Sequence, residues 1–148
     1  MIKQIIKSNA PVSLDQIAAF ENRWRIKLPE AYRSFLLKNN GGEPIPARFP
    51  ITDMPYNPKG EIEVFFGLGA EIESEDLNWV LENLTVQQPT GVVPIARNPM
   101  GNYLCLDTSK PGGPIIYWDQ KECWGDGNKI VFYPVVNSFE ELLAVLED

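Results

Sequence analysis

The sequence predicts an α+β fold: a central, largely antiparallel sheet packed by N-terminal and C-terminal helices. Three observations predict it. Two amphipathic helix patterns open the chain, strand-like segments separated by glycine turns fill residues 92–135, and a capped helix pattern closes it. The chain has 148 residues, enough to bury roughly 68 to 70% of the surface of its unfolded form. No internal repeat or separating linker interrupts it, so residues 1–148 are expected to form one domain.

The first helix begins at Ser13, which forms a capping-box pattern with Gln16, while Val12 and Ile17 supply a hydrophobic staple. Leu14, Ile17, Phe20 or Glu21, and Trp24 recur at helical spacing and predict the buried face. The second helix lies in "LPEAYRSFLLKNNGG", with Pro29 at its first position, Tyr32, Phe35 and Leu36 inward, and Gly41 as a left-handed stop. Prolines 44, 46, 50, 55 and 58 restrict the next stretch to turns and edge strand, with "ARFPIT" as a short strand. "EIEVFFGLG" reads as one buried strand ending at Gly67 and Gly69.

A third helix is expected from Ser74, with Glu75 and Asp76 in its first turn and Leu77, Val80, Leu81 and Leu84 inward, leaving Trp79 off the stripe. Strands follow over 92–96, 103–107, 115–118 and 130–135, joined by the turns "NPMGN", "KPGG" and "WGDGN". Ser138 and Glu141 form a second capping-box pattern, and Phe139, Leu142, Leu143 and Leu146 give the last helix its inner face.

Composition narrows the chemistry. There is no histidine, which removes Ser-His-Asp and Cys-His nucleophiles and histidine-ligated metal sites. The two cysteines, Cys105 and Cys123, have no C-x-x-C spacing and read as reduced, structural thiols. No apolar run approaches the roughly 20 residues of a membrane-spanning helix, and Lys7 interrupts the N-terminal apolar stretch, so a cytoplasmic protein is expected. The G-x-G at 67–69 is followed by acids instead of a third glycine and is no dinucleotide loop. "GDGN" at 125–128 lacks the spacing of a calcium loop, so no metal and no cofactor are expected.

Charge is unevenly distributed. Residues 1–48 hold eight Lys/Arg against four acids, a balance of +4, whereas residues 49–148 hold five against sixteen, a balance of -11. Such a segment repels nucleic acid and anionic membrane and attracts basic proteins. Asp107 and Asp119 are the natural acid/base pair of a carboxylate-dependent hydrolase, but both stand where Asp organises a turn. Trp79 and Trp124 sit among polar residues, where interface and core roles are both open.

Four stretches, "LPEAYRSFLLKNNGG", "FFGLG", "VVPIARNPMGNYLCLDTS" and "PIIYWDQKE", resemble the successive signature blocks of the SUKH superfamily, the Smi/Knr-type family that includes yeast regulators of cell-wall synthesis. The matching residues are Leu28, Pro29, Tyr32, Phe35, Gly41 and Gly42, then Gly101, Asn102, Cys105, Leu106, Asp107, Trp118 and Asp119. Asn102 stands where Asp is common. The resemblance implies a non-enzymatic α+β domain, in bacteria an immunity protein that neutralises a toxin domain, often a nuclease. An intracellular adaptor in cell-wall-related signalling is the alternative.

Charge and resemblance together predict a protein partner, a basic toxin domain, met by an acidic face; a monomer and a homodimer both remain open. The candidate partner-binding residues are Glu71, Glu73, Glu75, Asp76, Trp79 and Glu82 in the third-helix region, and Asp107, Asp119, Glu122, Trp124 and Asp126 along the meander.

Overall fold

The computed structural model describes residues 1–52, 59–84, 89–119 and 131–148. Its largest element is a five-stranded antiparallel meander in the order β5 (Val64–Phe65), β6 (Val92–Arg97), β7 (Tyr103–Asp107), β8 (Ile115–Trp118) and β9 (Phe132–Val136). Two smaller antiparallel pairs precede it: β1 (Gln4–Ile6) with β2 (Glu43–Ile45), and β3 (Arg48–Pro50) with β4 (Lys59–Glu61). The helices are α1 (Leu14–Trp24), α2 (Glu30–Lys38), α3 (Leu77–Glu82) and α4 (Phe139–Val145). The α+β class and the antiparallel meander agree with the sequence.

The meander forms because both of its faces are apolar. Leu104, Leu106, Ile115 and Tyr117 face the main core, while Cys105, Trp118 and Val92 form a second cluster with Tyr103, Ile116 and Phe132. Register pairs Tyr103 with Trp118 and Leu106 with Ile115, so a one-residue slip would turn the main-core set outward. A bulge between Pro94 and Ala96 lets β6 bury both parities against β7. Against the inner face, α2 and α4 contribute an aromatic stack in which Phe35 lies 5.0 Å from Phe65 and 4.9 Å from Phe139, with Tyr32 5.1 Å from Phe139.

Several local expectations hold. The Ser13 and Gln16 capping box is complete in both directions, and Val12, Ile17 and Phe20 are buried. Ser138 caps α4, although the Glu141 carboxylate accepts from the Asn137 N–H instead of closing the reciprocal bond to Ser138.

Others are corrected. Leu14 is 62% exposed, because the capping geometry turns the first helical residue away from the core. The predicted strand at 61–69 splits: β4 pairs with β3, Val64 and Phe65 join the meander with one further bond from Phe66 to Ile95, and the chain then turns off at Gly67, whose N–H bonds to Glu75. The third helix starts at Leu77 with Asp76 as its cap, because Glu73–Glu75 form a separate 3-10 turn. Gly41 does not end α2; Asn39 does, and Gly41 is needed because a Cβ there would stand 2.7 Å from the Phe65 carbonyl oxygen. Strand β1 was not expected at all. The turn at 124–128 and Cys123 lie outside the described residues.

Candidate functional site: an acidic end of the sheet

The antiparallel register divides the acids between the two ends of the sheet. Val64 pairs with Arg97, Arg97 with Tyr103 and Tyr103 with Trp118, so Glu63 and Asp119 share one end. Asp107 follows Leu106, the partner of Ile115, at the opposite end. Five residues of strand separate the two aspartates, about 16 Å at about 3.3 Å per residue. Paired carboxyls of a glycosidase stand about 5 to 9.5 Å apart, so these two are no dyad. Asp107 instead accepts the Ser109 N–H at 3.0 Å and the Ser109 hydroxyl at 2.5 Å, which is a turn-forming role.

Arg97 gathers the acids of the first end. Its Nε donates to Glu63 at 2.8 Å, one terminal nitrogen meets Glu75 at 3.3 Å, and the other lies 3.4 Å from both the Ser74 carbonyl and hydroxyl. The 3-10 turn is thereby fixed against the end of β6. Asp76 is a structural residue: one carboxylate oxygen accepts the Gly69 and Ala70 N–H groups at 2.7 and 3.2 Å, and the other accepts Trp79 N–H at 3.0 Å. Behind the loop the buried amide of Asn40 donates to the Ala10 and Leu68 carbonyls and accepts the Leu68 N–H.

What these bonds hold out is the tip Glu71-Ile72-Glu73, all three exposed, with Ile72 at 57%. Beside it runs a groove of about 460 Å³ lined by Glu43, Glu71, Glu75, Val64 and Ile72, with Lys7 paired to Glu43 at 3.4 Å on its rim. A negative, partly apolar groove of this kind favours cationic side chains.

The other candidate residues stand differently. Glu82 pairs with Arg23 at 2.7 Å, between α1 and α3. Trp79 is half-buried and packs against the main core, so its surroundings are less polar than its sequence neighbours suggest. Glu122, Trp124 and Asp126 lie outside the described residues. Sequence reasoning passed over Glu63, Arg97 and Ile72; the isolated isoleucine between two acids was the one available signal.

Cys105 is a free, buried thiol whose pKa is raised by burial and then by Asp107, so it is inert at neutral pH. Among the described residues no helix is long and apolar enough to cross a membrane.

The signature blocks now have physical meaning. Leu28, Tyr32 and Phe35 are core, Gly42 exchanges backbone bonds with Phe65, and a Cβ on Gly113 would stand 2.5 Å from the Pro29 ring, so the helix block and the sheet block are fitted to each other. The helices, the meander and these contacts define a SUKH-type α+β fold.

The chain belongs to the SMI1 / KNR4 family (SUKH-1), whose model matches residues 11–145. It is also similar to the SPbeta prophage-derived uncharacterized protein YokK of Bacillus subtilis (strain 168), 27% identical over 150 residues that cover 90% of this chain and 74% of that protein. No solved structure matches it.

Proposed function

We propose that this chain is a non-enzymatic protein-binding module, an immunity protein of the cytoplasm that neutralises a basic, nuclease-type toxin domain through the acidic end of its sheet. The observation that carries the reading is the exposed Glu71-Ile72-Glu73 tip, anchored by its main chain at the acidic groove and followed by Glu75, which shares Arg97 with Glu63. Glu122, Trp124 and Asp126 stand three to seven residues beyond Asp119 in the sequence. A nuclease is basic where it holds phosphate, so clustered carboxylates can occupy that groove in place of the polyanion. Ile72 supplies the apolar centre that charge alone lacks, and its rigid mounting lowers the entropy lost on docking. Family membership and the prophage origin of the similar protein support a role among mobile, conflict-related genes.

Co-expression tests this. The chain should rescue cells from the toxic reading frame neighbouring its gene, and Glu71→Lys with Glu73→Lys should abolish rescue while leaving the fold intact. Undiminished rescue by the double variant would sink the acidic-end reading.

A further inference from the structure

A second concavity lies at the same end of the sheet, between the paired strands β3 and β4 and the turn at 98–102. It encloses about 520 Å³, within the size range of small-ligand pockets, and its lining includes Arg48, Glu61, Met100, Asn102, Tyr117 and Asp119. Tyr117, Asn102 and Asp119 are buried, which places polar groups at the floor of the cleft. The Asn98 side chain is oriented by its Oδ1, which accepts the N–H groups of Met100 and Asn102 at 3.0 and 2.8 Å. Its Nδ2 therefore faces the Tyr117 hydroxyl, and so does that of Asn102, each at 2.9 Å.

Two N–H donors use the lone pairs of that phenol, leaving it only its own proton to offer. Burial and then the Asp119 charge push the phenol up against the opposing effect of the amide bonds, so the proton is held at neutral pH. Among the described residues the proton meets no acceptor, the Arg48 guanidinium makes no hydrogen bond, and the Glu61 carboxylate makes neither hydrogen bond nor ion pair. The cleft thus offers donors at Tyr117 and Arg48 and an acceptor at Glu61, with two acids and two cations, Arg48 and Lys59, among its lining residues. An anion would meet Asp119 and Glu61, and a cation would meet Arg48. A neutral group with one acceptor and one donor satisfies both sets. Met100, 62% exposed on the lip, gives an adaptable apolar contact for the carbon beside that group.

We infer that this cleft is a binding site for a neutral carboxamide, a peptide group or an Asn or Gln side chain of a protein partner, whose carbonyl accepts the Tyr117 O–H and whose N–H reaches Glu61. It rests on the protein-binding reading only for the source of the amide.

The test uses the full chain, isotope-labelled, and three blocked tripeptides as probes: acetyl-Gly-Gln-Gly-amide, its Glu analogue and its Lys analogue. The Gln peptide should shift the backbone amides of Gly101 and Asn102 saturably and bind at least fivefold more tightly than the other two. Tyr117→Phe should weaken it at least fivefold. Should that variant unfold, Asn102→Asp provides the second reading: its carboxylate would accept the phenol proton and close the site, with the same loss expected. Equal or tighter binding of the Glu or Lys peptide, no saturable shift, or binding indifferent to both variants would overturn the inference. None of these outcomes bears on rescue from a toxin, so the protein-binding reading stands or falls separately.

Discussion

Asn40 and Leu68 are joined in both directions: the Asn40 Oδ1 accepts the Leu68 N–H at 2.9 Å and its Nδ2 donates to the Leu68 carbonyl at 2.8 Å. The same Nδ2 also donates to the Ala10 carbonyl, and the Asn40 backbone carbonyl accepts from Asn9 at 2.9 Å. One buried side chain therefore ties the end of the helix block to the N-terminal arm and to the root of the acidic tip.

Replacing Asn40 by Ala leaves the Leu68 peptide group and the Ala10 carbonyl without their partner. Each unsatisfied buried group costs about 1 to 3 kcal/mol, so a loss of about 2 to 4 kcal/mol is expected in chemical denaturation. Amides 68–76 should exchange faster than the meander amides; uniform acceleration would deny the local role.

Among the described residues the buried Tyr32 hydroxyl has no hydrogen-bond partner, and burial raises its pKa above the usual tyrosine range. Tyr32→Phe removes an unpaired polar atom and should be neutral or stabilising by up to about 1 kcal/mol. The pH dependence follows from the sign of the shift. Folding keeps the phenol neutral where the unfolded chain would ionise it, so stability is fully present below the unfolded pKa of 10.0 and falls as pH rises beyond it. The Phe variant should lose less stability between about pH 10 and 11 than the parent. A steeper alkaline decline in the variant would contradict this.

Gly67 sits where a Cβ would stand 2.7 Å from the Asn40 carbonyl oxygen and 2.8 Å from its Oδ1. Gly67→Ala should force that network apart and destabilise the chain by about 1 to 3 kcal/mol. Thermal unfolding reads it directly, and an unchanged midpoint would mean that the Asn40 network accommodates a methyl group there.

Association with a basic toxin domain should slow several-fold between about 0.01 and 0.15 M salt, as the Debye length falls from about 30 to about 8 Å. Glu71→Lys should lower the association rate more than Glu82→Lys, because Glu82 already faces Arg23 away from the acidic tip. Stopped-flow measurement of both variants decides it; equal effects would indicate that net charge, and not its placement, steers the encounter.

The meander was legible because its segments carry apolar residues of both parities and β6 and β7 end at glycine turns; Gly101 and Gly112 indeed adopt positive φ. Strand β1 was hidden because three residues with one half-buried isoleucine carry no period of their own and become a strand only by pairing with Glu43–Ile45. Asp76 and Glu75 read as generic helix-start acids; only the fold shows that one holds the loop and the other joins Arg97. The Asp107 and Asp119 question could not be resolved from spacing, since eleven intervening residues can fold back to either end, and strand register decided it.

The Asp76 carboxylate and the Asn40 amide grip the 68–76 loop by its main chain, which is the same whatever letters are written there. Glu71, Ile72 and Glu73 can therefore be exchanged without retooling the scaffold, and a lineage pursuing a drifting adversary could re-key its tip by point substitution while inheriting the mount unchanged.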